Sequence, residues 1–450
     1  MANINNQSEA RFLDWQRWIN VKPGELPALL WSFAYFFSLL CSYYIIRPIR
    51  DEMGVSGGVE NLQWLFLGTF LAMLAIVPVF GWLTSHYPRR KFLPFAYLFF
   101  IFNLLVFYAL FQSSMEHQYI ARAFFIWVSV FNLFVVSVFW SFMTDLYSSE
   151  QSKRLFGFIA AGGSMGALIG PLLTISLVDH VGVTHLLLLA VLLLGCAIYC
   201  IRRLDLWSQD FNSASVPFAS ANTTTTLQHE KIAGGVWAGV QLVAKSRYLL
   251  GICLLILLYT TLSTFLYFQQ AQIIRDTFVD SAARTAVFAN MDFATNALTL
   301  MLQMFLTGRI VKAIGIAWTL SLVPLLLAAG FLMLSFAPVL WVIVVLQVVR
   351  RAGNYAIMRP AREMLYVVLS REQKYKAKNF IDTTVYRSGD ALSAWVYAGF
   401  KAAGLPLAHI ALLAVPLTLV WAAVAFLLGK KHEQLVIQQS EELNVELLKE

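Results

Sequence analysis

Charged residues are scarce in this chain. Asp, Glu, Lys and Arg make up 13% of its 450 residues, whereas 59% are hydrophobic and 14% are aromatic. Soluble domains carry about 25% charged residues, so this composition excludes an ordinary soluble fold. The mean hydropathy of +0.67 is likewise that of an apolar chain. The composition therefore indicates a membrane protein.

Cysteine and histidine are also rare, with four and seven residues respectively. All four cysteines lie inside apolar runs, and no histidine pair stands near Cys196 and Cys200 to complete a metal site. We therefore expect neither a disulfide framework nor a bound metal. The chain also lacks a nucleophile elbow and a phosphate-cradling glycine loop. We expect no enzyme activity and no cofactor.

Basic residues exceed acidic ones, giving a formal net charge of +8 and a pI near 9.2. They are spread between apolar runs rather than gathered on a soluble domain, which argues against nucleic acid as a partner. In membrane proteins such an excess marks cytoplasmic loops that face anionic lipid. The first 25 residues are polar and mixed in charge, so we predict no cleavable signal peptide.

Apolar stretches of roughly 20 residues, the length needed to cross hydrocarbon, recur about twelve times. The predicted spans are 27–46, 62–84, 92–112, 120–145, 156–178, 184–203, 249–271, 286–307, 315–336, 339–367, 383–403 and 406–429. A polar insert after the sixth span contains the run 222–226, whose composition is typical of a flexible linker. The pattern predicts an all-α polytopic membrane protein with two six-helix halves.

The lysines and arginines indicate the orientation. Most of them fall on one side of the membrane when the amino terminus is placed in the cytoplasm, so we predict that both termini are cytoplasmic. A bacterial inner membrane is the expected location. The predicted organisation is a cytoplasmic tail at 1–26, a first six-helix half at 27–203, a cytoplasmic linker at 204–247, a second six-helix half at 248–429 and a cytoplasmic tail at 430–450.

The two halves echo each other after their second spans. At 81–91 and again at 308–312, a small residue is followed by a basic cluster. This repeat resembles the signature loop of the major facilitator superfamily, although an ordinary cytoplasmic turn is the alternative. The resemblance implies a transporter fold with its substrate near the membrane midplane, and it makes Arg89 and Arg90 candidates for a gating loop.

Glycines recur on one face of the fifth span, at Gly162, Gly163, Gly166 and Gly170. Small residues four apart let helix backbones approach closely in a membrane. We interpret this face as a packing surface, with direct substrate contact as the alternative.

Charges inside the spans carry the functional signal. Arg350 and Arg351 lie deep in the tenth span, where an arginine costs about 2.5–3.5 kcal/mol on insertion scales. At least one of them should therefore face a cavity or a partner. Arg359 and Arg362 lie nearer the end of the span, and their long side chains can reach cytoplasmic water.

A second group of charges directly follows the first predicted span. Arg47 and Arg50 share a helix face, and Asp51 neighbours Arg47 at a spacing of four residues. One interpretation is a salt-bridged cap at the extracellular end. The other is an anion clamp, because paired guanidinium groups suit phosphate and carboxylate.

Three stretches resemble the ATP/ADP translocases of plastids and intracellular bacteria, the nucleotide transporter family. They are Arg47-x-x-Arg50-Asp51, the segment 355–366 with Arg362-Glu363-Met364-x-Tyr366, and the lysine-rich turn 374–378 with the helix that follows it. The resemblance implies a transporter of an anionic substrate. Asn354, Arg359 and Asp390 stand where those translocases carry lysine, aspartate and lysine, which leaves nucleotide exchange itself open.

We expect arginines to supply the positive field of the substrate site, tyrosines to stack on a base or sugar, and acids to pair with the arginines when the site is empty. The substrate-binding candidates are Arg47, Arg50, Arg350, Arg351, Arg387, Tyr43, Tyr44 and Tyr355. The candidates for ion pairing or coupling are Asp51, Asp145, Glu363 and Asp390. The candidates for a gate or cytoplasmic loop are Arg89, Arg90, Arg362 and Lys376.

The predicted function is that of a secondary active transporter, which moves an anionic, phosphorylated, nucleotide-like metabolite by alternating access. Two alternatives stay open. The first is a proton-coupled transporter of another organic anion, with Asp390 as the carboxylate that protonates. The second is a flippase for a phosphorylated lipid head group, since basic residues at the inner ends of helices also suit a lipid phosphate.

Overall fold

The computed structural model describes residues 21–22, 24–86, 89–113, 115–214, 238–370, 377–378 and 380–447. In the first sequence half these residues form six long helices. They are α1 (Leu26–Ser56), α2 (Leu62–His86), α3 (Arg89–Gln112), α4 (His117–Leu146), α5 (Ser149–Val181) and α6 (Leu186–Ala214). A short 3-10 turn, Val59–Asn61, precedes α2.

The second sequence half is also helical. Its elements are α7 (Ala238–Lys245), α8 (Arg247–Thr277), α9 (Ser281–Phe305), α10 (Thr307–Phe336), α11 (Leu340–Gly353), π1 (Asn354–Met358), α12 (Arg359–Leu365), π2 (Ile381–Val385), α13 (Tyr386–Ala402) and α14 (Leu407–Leu447). Two of them, π1 and π2, are single π-helical turns.

Each predicted span falls on a helical segment, and the described residues contain no strand. Ten helices within the described ranges are long and apolar enough to cross a membrane. The predicted spans 286–307 and 383–403 lie on α9 and α13, which are not among those ten. The predicted all-α polytopic membrane fold is confirmed.

Local sequence explains how α5 begins. Ser148 accepts a hydrogen bond from the Gln151 amide, and the Gln151 side chain accepts one from the Ser148 amide. This reciprocal capping satisfies backbone donors that a helix start would otherwise leave without partners.

A buried carboxylate ties the start of α5 to the start of α1. Glu25 accepts two hydrogen bonds from Arg154, at 3.0 and 3.1 Å, and one from Gln151 at 2.9 Å. Burial by itself raises the pKa of Glu25. These hydrogen bonds, with one from the Lys22 amide, lower the pKa by more than burial raises it, so the pKa lies below the ordinary value. The charged form of Glu25 is therefore the one that the fold stabilises.

The glycine face of α5 packs directly against α1. A Cβ on Gly163 would lie 2.3 Å from the Phe36 ring, and one on Gly166 would lie 2.5 Å from the backbone oxygen of Phe37. No side chain fits at such distances, so glycine is required for the two backbones to approach this closely. The geometry supports packing as the role of this face.

The chain divides into two compact units. The first unit comprises Met1–Gly57, Leu71–Thr224 and Asp280–Phe293, and the second comprises Gly58–Phe70, Thr225–Val279 and Ala294–Glu450. Two segments lie in the unit formed mainly by the other half of the sequence, namely Gly58–Phe70 and Asp280–Phe293. The start of α2 belongs to the second unit, and the start of α9 belongs to the first.

Candidate functional site

In the first unit, Arg47 lies on α1 and meets an aspartate on α9. Its Nη1 is 3.1 Å from Oδ1 of Asp292, whose side chain is only 1% exposed. The Arg47 guanidinium also lies 5.7 Å from the centroid of the Tyr44 ring, and Tyr44 contacts Tyr43 edge to face. Three of the predicted substrate-binding residues are thus brought together, beside an acid that the sequence analysis did not single out.

A second ion pair joins α1 to the start of α9. The Glu52 carboxylate is fully buried and accepts hydrogen bonds from Nε and Nη2 of Arg284, each at 2.8 Å. The hydroxyls of Ser281 and Ser56 donate to it at 2.7 and 2.6 Å. These hydrogen bonds and the opposite charge of Arg284 offset the desolvation cost of burying the Glu52 carboxylate.

Arg50 and Asp51 form a pair on α1 itself. Arg50 donates from Nε and Nη2 to Oδ1 of Asp51, at 3.0 and 2.5 Å. The Arg50 guanidinium lies over the Phe125 ring, 5.1 Å from its centroid. Helical spacing predicts Asp51 beside Arg47, whereas these hydrogen bonds come from its neighbour Arg50. Asp145, a further predicted acid of this unit, is exposed near the end of α4.

In the second unit, Arg350 lies buried at the end of α11. Its Nε and Nη2 donate to Oε1 of Gln347 at 3.0 and 2.8 Å, and its Nη1 donates to Oγ of Ser263 at 2.6 Å. The Tyr259 hydroxyl lies 3.5 Å from the same Nη1. Within the described part of the chain, the hydrogen-bond partners of Arg350 are therefore all uncharged.

Arg387 and Asp390 lie one helical turn apart on α13, and both belong to the surroundings of Arg350 on α11. Nη1 of Arg387 is 3.7 Å from Oδ2 of Asp390, and the Arg387 side chain is 36% exposed. Asp390 also interacts electrostatically with Arg350. These three side chains carry two positive charges and one negative charge, so the cluster formed by Arg350, Arg387 and Asp390 has an excess of positive charge.

Both π-helical turns border this cluster. The turn π1 follows Arg351 almost directly and carries Tyr355, whereas π2 ends just before α13. Arg351 is buried, and Tyr355 is 37% exposed. Single π-turns inside helices occur frequently at functional sites, because the extra residue redirects the side chains that follow.

Four other charged residues of the second unit form two separate pairs. Lys378 donates to Glu363 and lies over the Tyr366 ring, and Arg362 lies 3.5 Å from Asp382. Glu363, predicted to pair with an arginine of the site, thus meets a lysine. Lys376 and the side chains of Arg89 and Arg90, three predicted gating residues, lie outside the described residues.

Several polar residues of these clusters are not among the predicted site residues. Asp292 is the sole charged residue of the predicted span 286–307, so the rule that intramembrane charge marks function would have found it. Gln347 lies three residues before Arg350, which places both on one helix face. Glu52 and Gln270 gave no such signal, since their partners depend on which helices pack together.

Comparison with known proteins identifies the fold and its relatives. The family model of the Major Facilitator Superfamily matches residues 28–361. ADP,ATP carrier protein 1 of Chlamydia muridarum is 21% identical and aligns over 90% of this chain and 88% of its own length. ADP,ATP carrier protein 1 of Chlamydia trachomatis serovar D is 22% identical, over 90% and 89% respectively.

Solved structures show the same architecture. A bacterial homologue of the human lysosomal transporter Spinster, in an inward-facing and unoccupied conformation, matches with a TM-score of 0.61 at 14% identity, covering 92% of this chain and 99% of that one. The nucleoside transporter NupG matches with a TM-score of 0.58 at 12% identity, covering 89% and 99%. The major facilitator-like fold and the resemblance to ATP/ADP translocases, both predicted from sequence motifs, are confirmed.

Proposed function

This integral membrane protein belongs to the major facilitator superfamily, and from that premise we propose that it moves an anionic, phosphorylated metabolite of nucleotide-like chemistry by alternating access. The similar Chlamydia proteins are named as carriers of ADP and ATP, which supports nucleotide chemistry. We place both termini in the cytoplasm, because most lysines and arginines fall on the side of the termini. We also propose a bacterial inner membrane as the location.

The buried guanidinium of Arg350 is the observation that carries this proposal. A buried cation is normally neutralised by an acid that hydrogen-bonds to it, since desolvation of an unpaired charge is costly. The described hydrogen-bond partners of Arg350 are instead an amide and two hydroxyls. A protein that retains such a charge within a membrane helix has a use for it, and an anionic ligand is the partner that the charge favours.

Arg387 and Asp390 provide a way for that ligand to bind and leave. Arg387 is partly exposed and meets Asp390 at 3.7 Å, a distance longer than that of a tight charge-assisted hydrogen bond. An entering phosphate would compete with Asp390 for the Arg387 guanidinium. The empty and occupied sites would then have different ion pairs, which gives the two states the differential contacts that a conformational switch requires.

Tyr355, together with the guanidinium groups of Arg350 and Arg387, suits a nucleotide. Guanidinium groups bind phosphate through paired N–H donors, and an exposed aromatic ring can stack on a base. Tyr355 is partly exposed on π1, close in sequence to Arg350. In this proposal Arg350, Arg351 and Arg387 provide the positive field, and Tyr355 provides the stacking surface.

Transport in proteoliposomes tests the proposal. Vesicles that contain the protein and internal ADP should accumulate labelled ATP, and Arg350→Gln should abolish uptake while Arg350→Lys retains part of it. Uptake of sugar phosphates without uptake of nucleotides would redefine the substrate as another phosphorylated metabolite. Transbilayer movement of a labelled phospholipid, with no uptake of any soluble anion, would instead identify a flippase.

A proton-coupled mechanism is the second candidate, and it is favoured because Asp390 contacts Arg387 and interacts electrostatically with Arg350. If Asp390 takes up a proton as the substrate leaves, a pH gradient should drive net uptake. Asp390→Asn should then abolish the response to the gradient and leave exchange intact. An unchanged pH response in this variant would exclude Asp390 as the coupling group.

A further inference from the structure

Two buried glutamines form a relay behind Arg350. Gln347 on α11 accepts both hydrogen bonds from the Nε and Nη2 edge of the guanidinium. Its own Nε2 donates to Oε1 of Gln270 on α8. Gln347 is 1% exposed and Gln270 is 5% exposed, so the relay connects two helices inside the second unit.

The direction of this relay is determined at the arginine end. A guanidinium has only donors, so Gln347 must present its amide oxygen to Arg350. Its nitrogen then faces Gln270, which must present its own oxygen in turn. Arg350 is thereby held by two hydrogen bonds to one acceptor, and the orientation of both amides follows from hydrogen-bond logic.

The relay holds the arginine without neutralising it. Glutamate has nearly the same shape as glutamine, and at position 347 it could accept the same two hydrogen bonds from Arg350. It would also form a closed ion pair and cancel the charge. Amides at positions 347 and 270 avoid that outcome, so Arg350 keeps its positive charge while its geometry is fixed.

We propose that Gln347, with Gln270 behind it, is a positioning residue that holds Arg350 in place with its charge uncancelled, and so makes the Arg350–Arg387–Asp390 cluster selective for highly charged anions. This inference rests on the proposed function, and it adds a residue that sets ligand charge preference without touching the ligand. Substituting glutamate at position 347 would remove the excess positive charge of the cluster.

The test uses the whole chain with ADP, ATP and pyrophosphate as probes, and it measures dissociation constants, transport KM and thermal stability. Gln347→Glu should preserve stability, because the carboxylate accepts the Arg350 hydrogen bonds and the Gln270 amide can rotate to donate to it. It should weaken ADP binding at least about tenfold. The loss should be larger for ATP, which carries more charge. A raised transport KM should accompany it.

Two further variants separate charge from shape. Gln347→Met removes the hydrogen bonds without adding charge, so it should lower stability and weaken ADP and ATP binding equally. Gln270→Glu retains the hydrogen bond from Gln347 but places the new charge one side chain further from Arg350. It should show the same preference against ATP in a smaller degree, and it provides the same test if Gln347→Glu does not fold.

The possible failures are distinguishable. If the wild-type protein binds neither ADP, ATP nor pyrophosphate, the proposed function is wrong. If the wild-type protein binds them and the folded Gln347→Glu and Gln270→Glu variants bind both nucleotides as tightly as the wild type, the relay does not set charge preference. Equal losses for ADP and ATP in these variants would also overturn the inference.

Discussion

Two largely buried arginines of the first unit form ion pairs with acids, whereas Arg350 of the second unit forms its hydrogen bonds with neutral groups. Arg284 meets the fully buried Glu52, and Arg47 meets the almost fully buried Asp292. Arg350 is as deeply buried, but its hydrogen bonds end on a glutamine and two hydroxyls. The same residue type therefore occupies two electrostatic environments in one chain.

This difference separates two uses of a buried cation. An arginine with a buried acid is satisfied within the protein, and its first effect is to join the helices that carry the pair. An arginine with neutral partners keeps its attraction for an anion. Removing a charge should therefore damage stability in the first unit and ligand binding in the second.

The largest expected effect is at Glu52. Glu52→Gln would leave Arg284 buried without its acid, and loss of one partner of a buried pair typically costs about 3–5 kcal/mol. Thermal unfolding of the purified protein should show the loss. The double variant Glu52→Gln with Arg284→Gln should recover much of it, because no unpaired charge remains. Equal stability of the wild type and Glu52→Gln would show that the pair does not stabilise the fold.

The same substitution in both clusters gives the most direct comparison. Arg47→Gln removes the cation beside Asp292 and should cost about 3 kcal/mol of stability. Arg350→Gln, among neutral partners, should cost about 1 kcal/mol but abolish nucleotide binding. Unfolding curves of the two variants measure the stability losses, and binding isotherms measure the loss of nucleotide affinity. The comparison fails if Arg350→Gln proves the more destabilising of the two.

A steric change in the first unit should destabilise the fold less than the loss of Glu52 or of Arg47. Gly166→Ala places a methyl group 2.5 Å from the oxygen of Phe37 and 2.8 Å from the nitrogen of Cys41, and overpacking of this kind costs about 2 kcal/mol. Gly157→Ala on the same helix is the matched control, because a Cβ there meets no atom within 4 Å. Its stability should match or exceed that of the wild type.

The last prediction concerns Glu25, whose contribution to stability depends on pH. Its pKa in the fold lies below the ordinary value, so the charged carboxylate adds stability above the unfolded pKa of about 4.3. That contribution is lost as the pH falls through the lower, folded value. Glu25→Gln should cost about 1.5 kcal/mol at pH 7, and thermal unfolding of both proteins should converge under acidic conditions. A constant difference across the pH range would exclude titration of Glu25 as the cause.

Sequence patterns singled out the glycine face and Arg350, but they did not single out Asp292 as a partner of Arg47. The packing face formed by Gly162, Gly163 and Gly166 could be predicted because helical periodicity is a local property of the sequence. Arg350 was readable because a charge deep in an apolar run is unusual anywhere. Spacing placed Asp51 near Arg47, yet helix packing brought Arg47 to Asp292 on a helix from the other half of the sequence.

The sequence by itself determined that this chain crosses a membrane as helices, because hydropathy over roughly 20 residues is a local property that no later contact alters. It also determined which charges lie too deep to be loop residues. Only the tertiary structure decided which of these charges are neutralised. An ion pair needs two side chains within a few ångströms, and whether Asp292 meets Arg47, or Gln347 meets Arg350 in place of an acid, depends on how distant helices pack.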